Sequence, residues 1–226
     1  MNYVIITGYH RKDRSTDDFA LLWWDCVMSH ASPKPKHIYV IETDAGPMPV
    51  YSPHLSHIQT YHNPGHIGQL ISGEKPPGFC GWSAGLLAGM LVAYHAGADA
   101  LYLEEDVLFW GPLVKRLYEE MGDGQMIFGP KMQSSPFMEC GQSVVLIRHA
   151  FIPHFVSRYL AFGNEGGVHD LPETRFARIR DSMPQAVRAY SFHGDRERPI
   201  RWEQEVGAYQ KFSEEELREA GRRGIL

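Results

Sequence analysis

Three carboxylates stand side by side at Glu104, Glu105 and Asp106, between apolar Leu101-Tyr102-Leu103 and apolar Val107-Leu108-Phe109. Like charges repel, and acids are seldom set in an apolar stretch without a partner. If the chain stays extended from Tyr102 to Val107, side chains alternate, so Glu104 and Asp106 share one face and Glu105 takes the other. Two carboxylates two positions apart at a strand end suit a hard cation. Mg²⁺ or Mn²⁺ takes one or two protein carboxylates and completes its shell with water and phosphate oxygens. The plain alternative is a solvated turn after a strand.

Other ligand sets are weaker. His54-x-x-His57 and His62-x-x-x-His66 lie close together, but that stretch reads as strand and turn and contains no cysteine or acid. The chain has no H-E-x-x-H helix either, so zinc is not expected. Cys26, Cys80 and Cys140 are odd in number, widely spaced and form no C-x-x-C pair. A disulfide framework is therefore not expected, and a reducing, cytoplasmic compartment is. The 22 basic and 27 acidic residues leave a net charge of −5, an unfavourable balance for nucleic acid as a partner. Residues 170–201 nonetheless hold seven arginines against five acids, a locally basic stretch whose plain reading is a solvated face.

The elements that must position these groups follow from composition and periodicity. At 43% apolar and 22% charged, the chain is an ordinary globular one, long enough for one large core. No apolar run approaches the ~20 residues a membrane span needs, and the opening MNYVIITGYHRKD reads as a first strand rather than a signal peptide. Strand-like runs alternate with longer helical patterns, which predicts an α/β fold with a mostly parallel central sheet flanked by helices. Strands are expected over 3–7, 37–41, 57–61, 99–103, 125–128, 142–147 and 186–192. Helices are expected over 15–29, where Ser15 and Asp18 have capping-box spacing, and over 81–95, 113–121, 149–162, 172–180 and 213–221. Pro- and Gly-rich residues 65–78 form the longest irregular stretch, a loop that could move.

Three strands end in polar clusters: Thr7-Gly8-Tyr9-His10-Arg11, Glu42-Thr43-Asp44 and Glu104-Glu105-Asp106. Open α/β sheets place their ligand crevice at the carboxyl ends of parallel strands, so an acidic site is expected there. Trp23 and Trp24 read as core, whereas Trp82 could also stack on a sugar or base.

This order of elements resembles the GT-A fold of nucleotide-sugar glycosyltransferases, and is most similar to the large inverting family whose members open on a P-T-Y-N-R-like turn. The corresponding turn is ITGYHRKD; VIETDAG matches the family's two acids before a glycine, and CGWSAGLLAGM its G-x-S-A helix. The likeness spans about residues 3–195. It implies one domain over 1–226, with a nucleotide-binding half (1–110) and an acceptor half (111–226). The implied metal motif is Glu104-Glu105-Asp106, in which Asp106 is the main ligand of Mn²⁺ or Mg²⁺, Glu104 a weaker one and His193 a late histidine beside them. Thr7, Tyr9, Arg11, Glu42, Asp44 and Glu105 would lie against the nucleotide, and Trp82 and Gly141 against the donor sugar. The first motif residue is Glu rather than Asp, and Leu86 and Leu87 stand where family members often keep a basic residue. Arg11, Lys131 or an arginine of 196–201 would then have to meet the diphosphate.

An inverting transfer needs a carboxylate to take the acceptor's proton, and by the resemblance this falls to Asp170 or Glu173. The same residues, with Pro172, also have the form of a helix N-terminus. The implied partners are a nucleotide-sugar donor and a saccharide or other hydroxyl acceptor. A second subunit could complete the acceptor site of so short a chain. Two other classes remain open: a related nucleotidyltransferase, disfavoured by the single glycine in TGYHRKDRSTDD, and a non-catalytic nucleotide- or sugar-binding module.

Overall fold

In the computed structural model the described residues are 1–10, 14–43, 46–60, 80–130, 140–162 and 172–226. Strand β1 (Tyr3–Tyr9) is buried along almost its whole length, as a central strand covered on both faces must be. It lies in parallel between β2 (Ile38–Thr43) and β4 (Asp99–Leu103), so that Ile5 faces Ile38 on one side and Leu101 on the other. With β3 (Leu55–Thr60), β6 (Met126–Phe128), β7 (Val144–Ile147) and β8 (Val187–Ala189), these strands form a seven-stranded sheet in the order β3-β2-β1-β4-β7-β6-β8. Only β7 runs against the others, pairing antiparallel with both β4 and β6. The expectation of a mostly parallel α/β sheet is met.

Two apolar layers cover it. On one face α1 (Arg14–His30) packs Trp23, Cys26 and Val27 with Tyr3 and Ile5, joined by α3 (Leu113–Met121). On the other, α2 (Gly81–His95) packs Leu86, Met90 and Ala93 with Val4 and Ile6, joined by α4 (Ile152–Ala161) and α5 (Pro172–Ser182). Helix α2 can lie so close because Gly89 faces Ile6: a Cβ there would stand 2.1 Å from Ile6 Cγ2. The terminal helix α6 (Glu214–Arg222) starts on a capping box between Ser213 and Glu216.

A second sheet was not expected. Strands β5 (Val107–Trp110), β10 (Gly207–Gln210) and β9 (Gly194–Asp195) form a three-stranded sheet in that order. Gly207 makes its packing possible, because the Trp110 indole lies where a Cβ would be, with Cζ2 at 2.2 Å. Trp110 also stacks on Trp202 and Tyr209, at centroid distances of 5.3 and 5.5 Å. Elsewhere β1 runs two residues further than expected, to Tyr9, and β8 stops at Ala189 instead of reaching 192. The expected 65–78 loop lies outside the described residues.

Candidate active site

Because β1, β4, β6 and β8 run one way, their carboxyl ends share an edge, and antiparallel β7 begins there. That edge collects the carboxylates after β4, Pro130 after β6, residues 140–143 before β7 and residues 190–204 after β8.

The carboxylates do not continue the strand. Glu104 N–H donates to Ser143 O at 3.0 Å, and Val107 N–H then donates to Glu104 O at 3.1 Å. This closes a turn with Glu105 and Asp106 at its corner, so the expected two-residue alternation across 104–106 is not found: the chain reverses to start β5. Glu104 is buried and accepts the indole N–H of Trp82 at 2.6 Å. Asp106 Oδ2 pairs with Lys211 Nζ at 2.8 Å. Its Oδ1 is buried and has no hydrogen-bond partner among the described residues.

Lys211 arrives through the second sheet. Gln210 is registered opposite Val107, so the next residue of β10's chain meets the one before β5. Lys211 has a left-handed backbone, φ 59°, unlike every other described non-glycine residue. Such a conformation persists only where surrounding contacts enforce it. Here Arg198 Nη2 donates to the carbonyls of both Gln210 and Lys211, at 2.8 and 3.0 Å, and Arg198 Nε is held by Glu216 at 2.7 Å. Burial pushes the Lys211 ammonium pKa down, but Asp106 and, with it, Glu104 outweigh this and raise it.

A polar cavity of about 430 Å³ opens on the same edge, lined among others by Ser191, His193, Glu197, Arg198, Arg201 and Gln204. That volume suits a small polar ligand. Tyr209 lies beneath it. Its hydroxyl accepts from Arg201 N–H and Gln204 Nε2, at 3.1 and 3.2 Å, and is left to donate to His193 Nδ1 at 2.6 Å. His193 Nε2 then donates to Glu197 at 2.9 Å. Burial, with Arg201 and Arg198, holds His193 below its ordinary pKa against the upward pull of Glu197. The neutral ring fits both of its bonds.

The other predicted residues divide. Thr7 is buried and its hydroxyl donates to Gly8 O at 3.3 Å, within the strand. Tyr9 is buried in the α1 face of the core, and its hydroxyl donates to Asp17 at 2.5 Å. Glu42 Oε1 accepts Met48 N–H at 2.9 Å and also bonds His57, whose other nitrogen reaches Val50 O at 2.8 Å. These three fasten local structure, whatever else they do. Trp82 is wedged edge-on between Tyr102 and Phe176. Gly141 is buried at the mouth of β7, with its N–H on Pro130 O at 3.0 Å. Its Cα lies 2.7 Å from where a Cβ on Gly129 would stand. Glu173 sits in the first turn of α5, with Cys140 Sγ on its carbonyl at 3.3 Å. That places Glu173 beside the 140–143 segment of the edge. Arg11, Asp44, Lys131 and Asp170 lie outside the described residues.

The expected metal set does not gather. Among the described residues no three His, Cys, Asp or Glu side chains come together as a metal site. The second sheet gives the reason: His193 precedes Gly194, which pairs with Ala208, so it lies level with Gly207. Lys211 and Asp106 are at the other end of β10, roughly 13 Å along the strand at about 3.3 Å per residue. Sequence reasoning missed Lys211, Glu197, Gln204 and Tyr209. The excess of arginine over 170–201 read as a solvated face, and only the resemblance singled out an arginine of 196–201; nothing local marks Lys211, whose pairing with Asp106 spans about a hundred positions.

No protein-family model and no curated protein matches the sequence. Solved structures do match. The galactosyltransferase LgtC in complex with donor and acceptor sugar analogs superposes with a TM-score of 0.57 at 11% identity, over 85% of this chain and 74% of that one. Mouse xyloside xylosyltransferase 1 gives 0.52 at 10% identity, over 93% and 98% of the two chains. The apo-form glycosyltransferase GlyE of Streptococcus pneumoniae TIGR4 gives 0.52 at 11%, over 84% of this chain and 45% of its own. At such identities the likeness is one of architecture: this chain has the GT-A fold.

Proposed function

We propose that the protein is a nucleotide-sugar glycosyltransferase that moves a sugar from a nucleoside diphosphate to an acceptor hydroxyl. One observation carries the reading. In a GT-A sheet, the carboxylate turn after β4 and the arginine-lined cavity after β8 lie on one edge, where open α/β sheets bind their ligands. The donor's nucleotide would lie across residues 1–110, and the acceptor would be met from residues 111–226. As the acceptor oxygen bonds the anomeric carbon, the bond from that carbon to the diphosphate breaks, and its electron pair leaves with the nucleoside diphosphate. The acceptor's proton passes to Glu173 or Asp170. Arg198 and Arg201, on the cavity wall, place positive charge where the leaving diphosphate gains negative charge, as electrostatic stabilisation requires.

The resemblance also implies Mn²⁺ or Mg²⁺ on the carboxylates. The residues present do not fit it as the expected three-residue site: His193 lies at the other end of β10 with both ring nitrogens engaged, Trp82 holds Glu104 Oε1, and Lys211 holds Asp106 Oδ2, so that of Asp106 only the buried Oδ1 has no hydrogen-bond partner among the described residues. No step is therefore drawn through a metal.

Thermal unfolding with UDP, GDP, CDP and TDP tests the reading. Ligand at a hundred times its dissociation constant adds ~2.7 kcal/mol, which at ~2–4 °C per kcal/mol is easily seen. One nucleoside diphosphate should raise the midpoint, and the matching nucleotide sugar should lose its sugar when acceptors are supplied. Pyrophosphate release from a nucleoside triphosphate and a sugar phosphate would identify a nucleotidyltransferase instead. Binding without turnover would identify a binding module. No shift with any of the four would end the proposal.

A further inference from the structure

The pair between Lys211 and Asp106 is unusual in how it is built. Its lysine stands on a left-handed backbone, fixed by two carbonyl bonds from Arg198 that are backed in turn by Glu216. Arg198 also lies over the rings of Tyr209 and Phe212, 5.9 Å from each centroid. A surface ion pair needs none of this, and such a pair contributes little to stability. Strain of this kind collects at functional positions. The ammonium reaches the carboxylate turn where a cation is wanted, and its side chain stays 61% exposed, open to a ligand entering from solvent. An ammonium carries three donors, so Asp106 leaves it hydrogen-bonding capacity for phosphate oxygens.

We propose that Lys211 is the built-in cation of this site: it neutralises Asp106 and donates directly to the donor's diphosphate, in place of a divalent metal ion. This rests on the glycosyltransferase reading above. No proton moves to or from Lys211 in the transfer; its hydrogen bonds strengthen as negative charge collects on the departing diphosphate. The consequence is a nucleotide site that works without metal and that Mn²⁺ cannot readily enter while the lysine is present.

The test uses the full chain and the nucleoside diphosphate that raises its unfolding midpoint. Calorimetric affinity is measured with EDTA and with Mn²⁺, and Mn²⁺ uptake is followed separately by electron paramagnetic resonance. The variants are K211M, K211G and K211R. Glycine accepts the left-handed backbone without strain, so K211G removes the side chain while leaving the turn free to form. Wild type should bind equally well in EDTA and in Mn²⁺ and should take up no Mn²⁺. K211M and K211G should bind at least about tenfold more weakly in EDTA, the scale of a lost hydrogen bond to a charged group. Both should regain affinity with Mn²⁺, and both should now take up the ion at the released Asp106. K211R should behave as wild type in EDTA to within a few-fold. A wild type that binds nucleotide only with Mn²⁺, or takes up Mn²⁺ at Asp106, would overturn the proposal and leave the glycosyltransferase reading standing. Undiminished metal-free binding by K211G would likewise overturn it. Failure of wild type to bind any nucleoside diphosphate under either condition would overturn both.

Discussion

Gly89→Ala sets two known effects against each other, and the structure decides the sign. In an exposed helix the substitution stabilises by about 1 kcal/mol, because alanine loses less backbone freedom than glycine. Here the new methyl would stand 2.1 Å from Ile6 Cγ2 and 3.3 Å from both Ile6 Cβ and Cδ1. Ile6 cannot step back: it is fully buried and laddered to Tyr39 on one side and Tyr102 on the other. Overpacking of this kind costs ~1–3 kcal/mol and sometimes more, and a contact so short belongs at the upper end. The net effect should be a loss of about 1–2 kcal/mol, which at ~2–4 °C per kcal/mol lowers the unfolding midpoint by roughly 2–8 °C. Thermal and urea unfolding would both read it. A second variant isolates the cause. Ile6→Ala removes Cγ2, the carbon at 2.1 Å, and Cδ1 while keeping Cβ, so its cost and that of Gly89→Ala should be less than additive when combined, with a coupling of ~0.5–3 kcal/mol. A Gly89→Ala protein as stable as wild type, or strict additivity, would refute the claim that this helix lies against β1 through a missing side chain.

Three further outcomes are expected. Trp82→Phe keeps a ring between Tyr102 and Phe176 but removes the donor to buried Glu104, and should cost ~1.5–3 kcal/mol as a lost bond to a charged group; an unchanged unfolding midpoint would contradict the pairing. His193, held below its ordinary value chiefly by burial, titrates near ~6.5 once the chain unfolds. Between the two values the unfolded chain carries a proton that the folded one lacks, so stability is full above pH ~6.5 and declines as pH falls through that window. His193→Gln should flatten the decline in urea midpoints, and equal slopes would refute the assignment. All three cysteines are buried, and burial pushes Cys26 up to about 12 against the pull of the Phe109 N–H, which donates to its sulfur at 3.2 Å. A thiol-specific chromogenic reagent should therefore label no cysteine in the native protein and all of them in denaturant, and rapid native labelling would show the burial to be wrong.

What could be read from the sequence divides along a physical line. Asp99–Leu103, Gly81–His95 and Leu113–Met121 fell where expected to the residue, because each is marked by its own residues, with glycine or proline close to at least one end; the face expected to be buried on Gly81–His95 was the wrong one, since Leu91 and Tyr94 are exposed and Leu86, Met90 and Ala93 are buried. The sheet edge that gathers the site followed from the same alternation. The three short strands Val107–Trp110, Gly194–Asp195 and Gly207–Gln210 left no such trace. Their formation depends on partners distant in the chain and on Gly207 lying under the Trp110 indole. From that miss followed the others: an extended reading of Glu104 to Asp106 where the chain turns, a metal set that placed His193 beside carboxylates at the far end of a strand, and no role for Lys211. Tyr9 illustrates a different limit. Its position at a strand end was right, but a strand end serves the core as readily as the crevice, and only packing shows that its hydroxyl goes to Asp17.

The second sheet has a consequence for how the protein is made. Among the described residues β5 pairs only with β10, one hundred residues later in the chain. On a ribosome, where domains form from the N-terminal side first, the central strands through β4 can emerge and pair while β5 still has an open edge. Open edges recruit other chains. Asp106 stays without Lys211 through that interval. Only when residues 207–211 have left the exit tunnel do the edge of β5 and the carboxylate of Asp106 gain these partners, in one pairing. Nascent chains arrested before that point should be captured by chaperones and cleaved by protease near residues 104–110, and those arrested well beyond it should resist both.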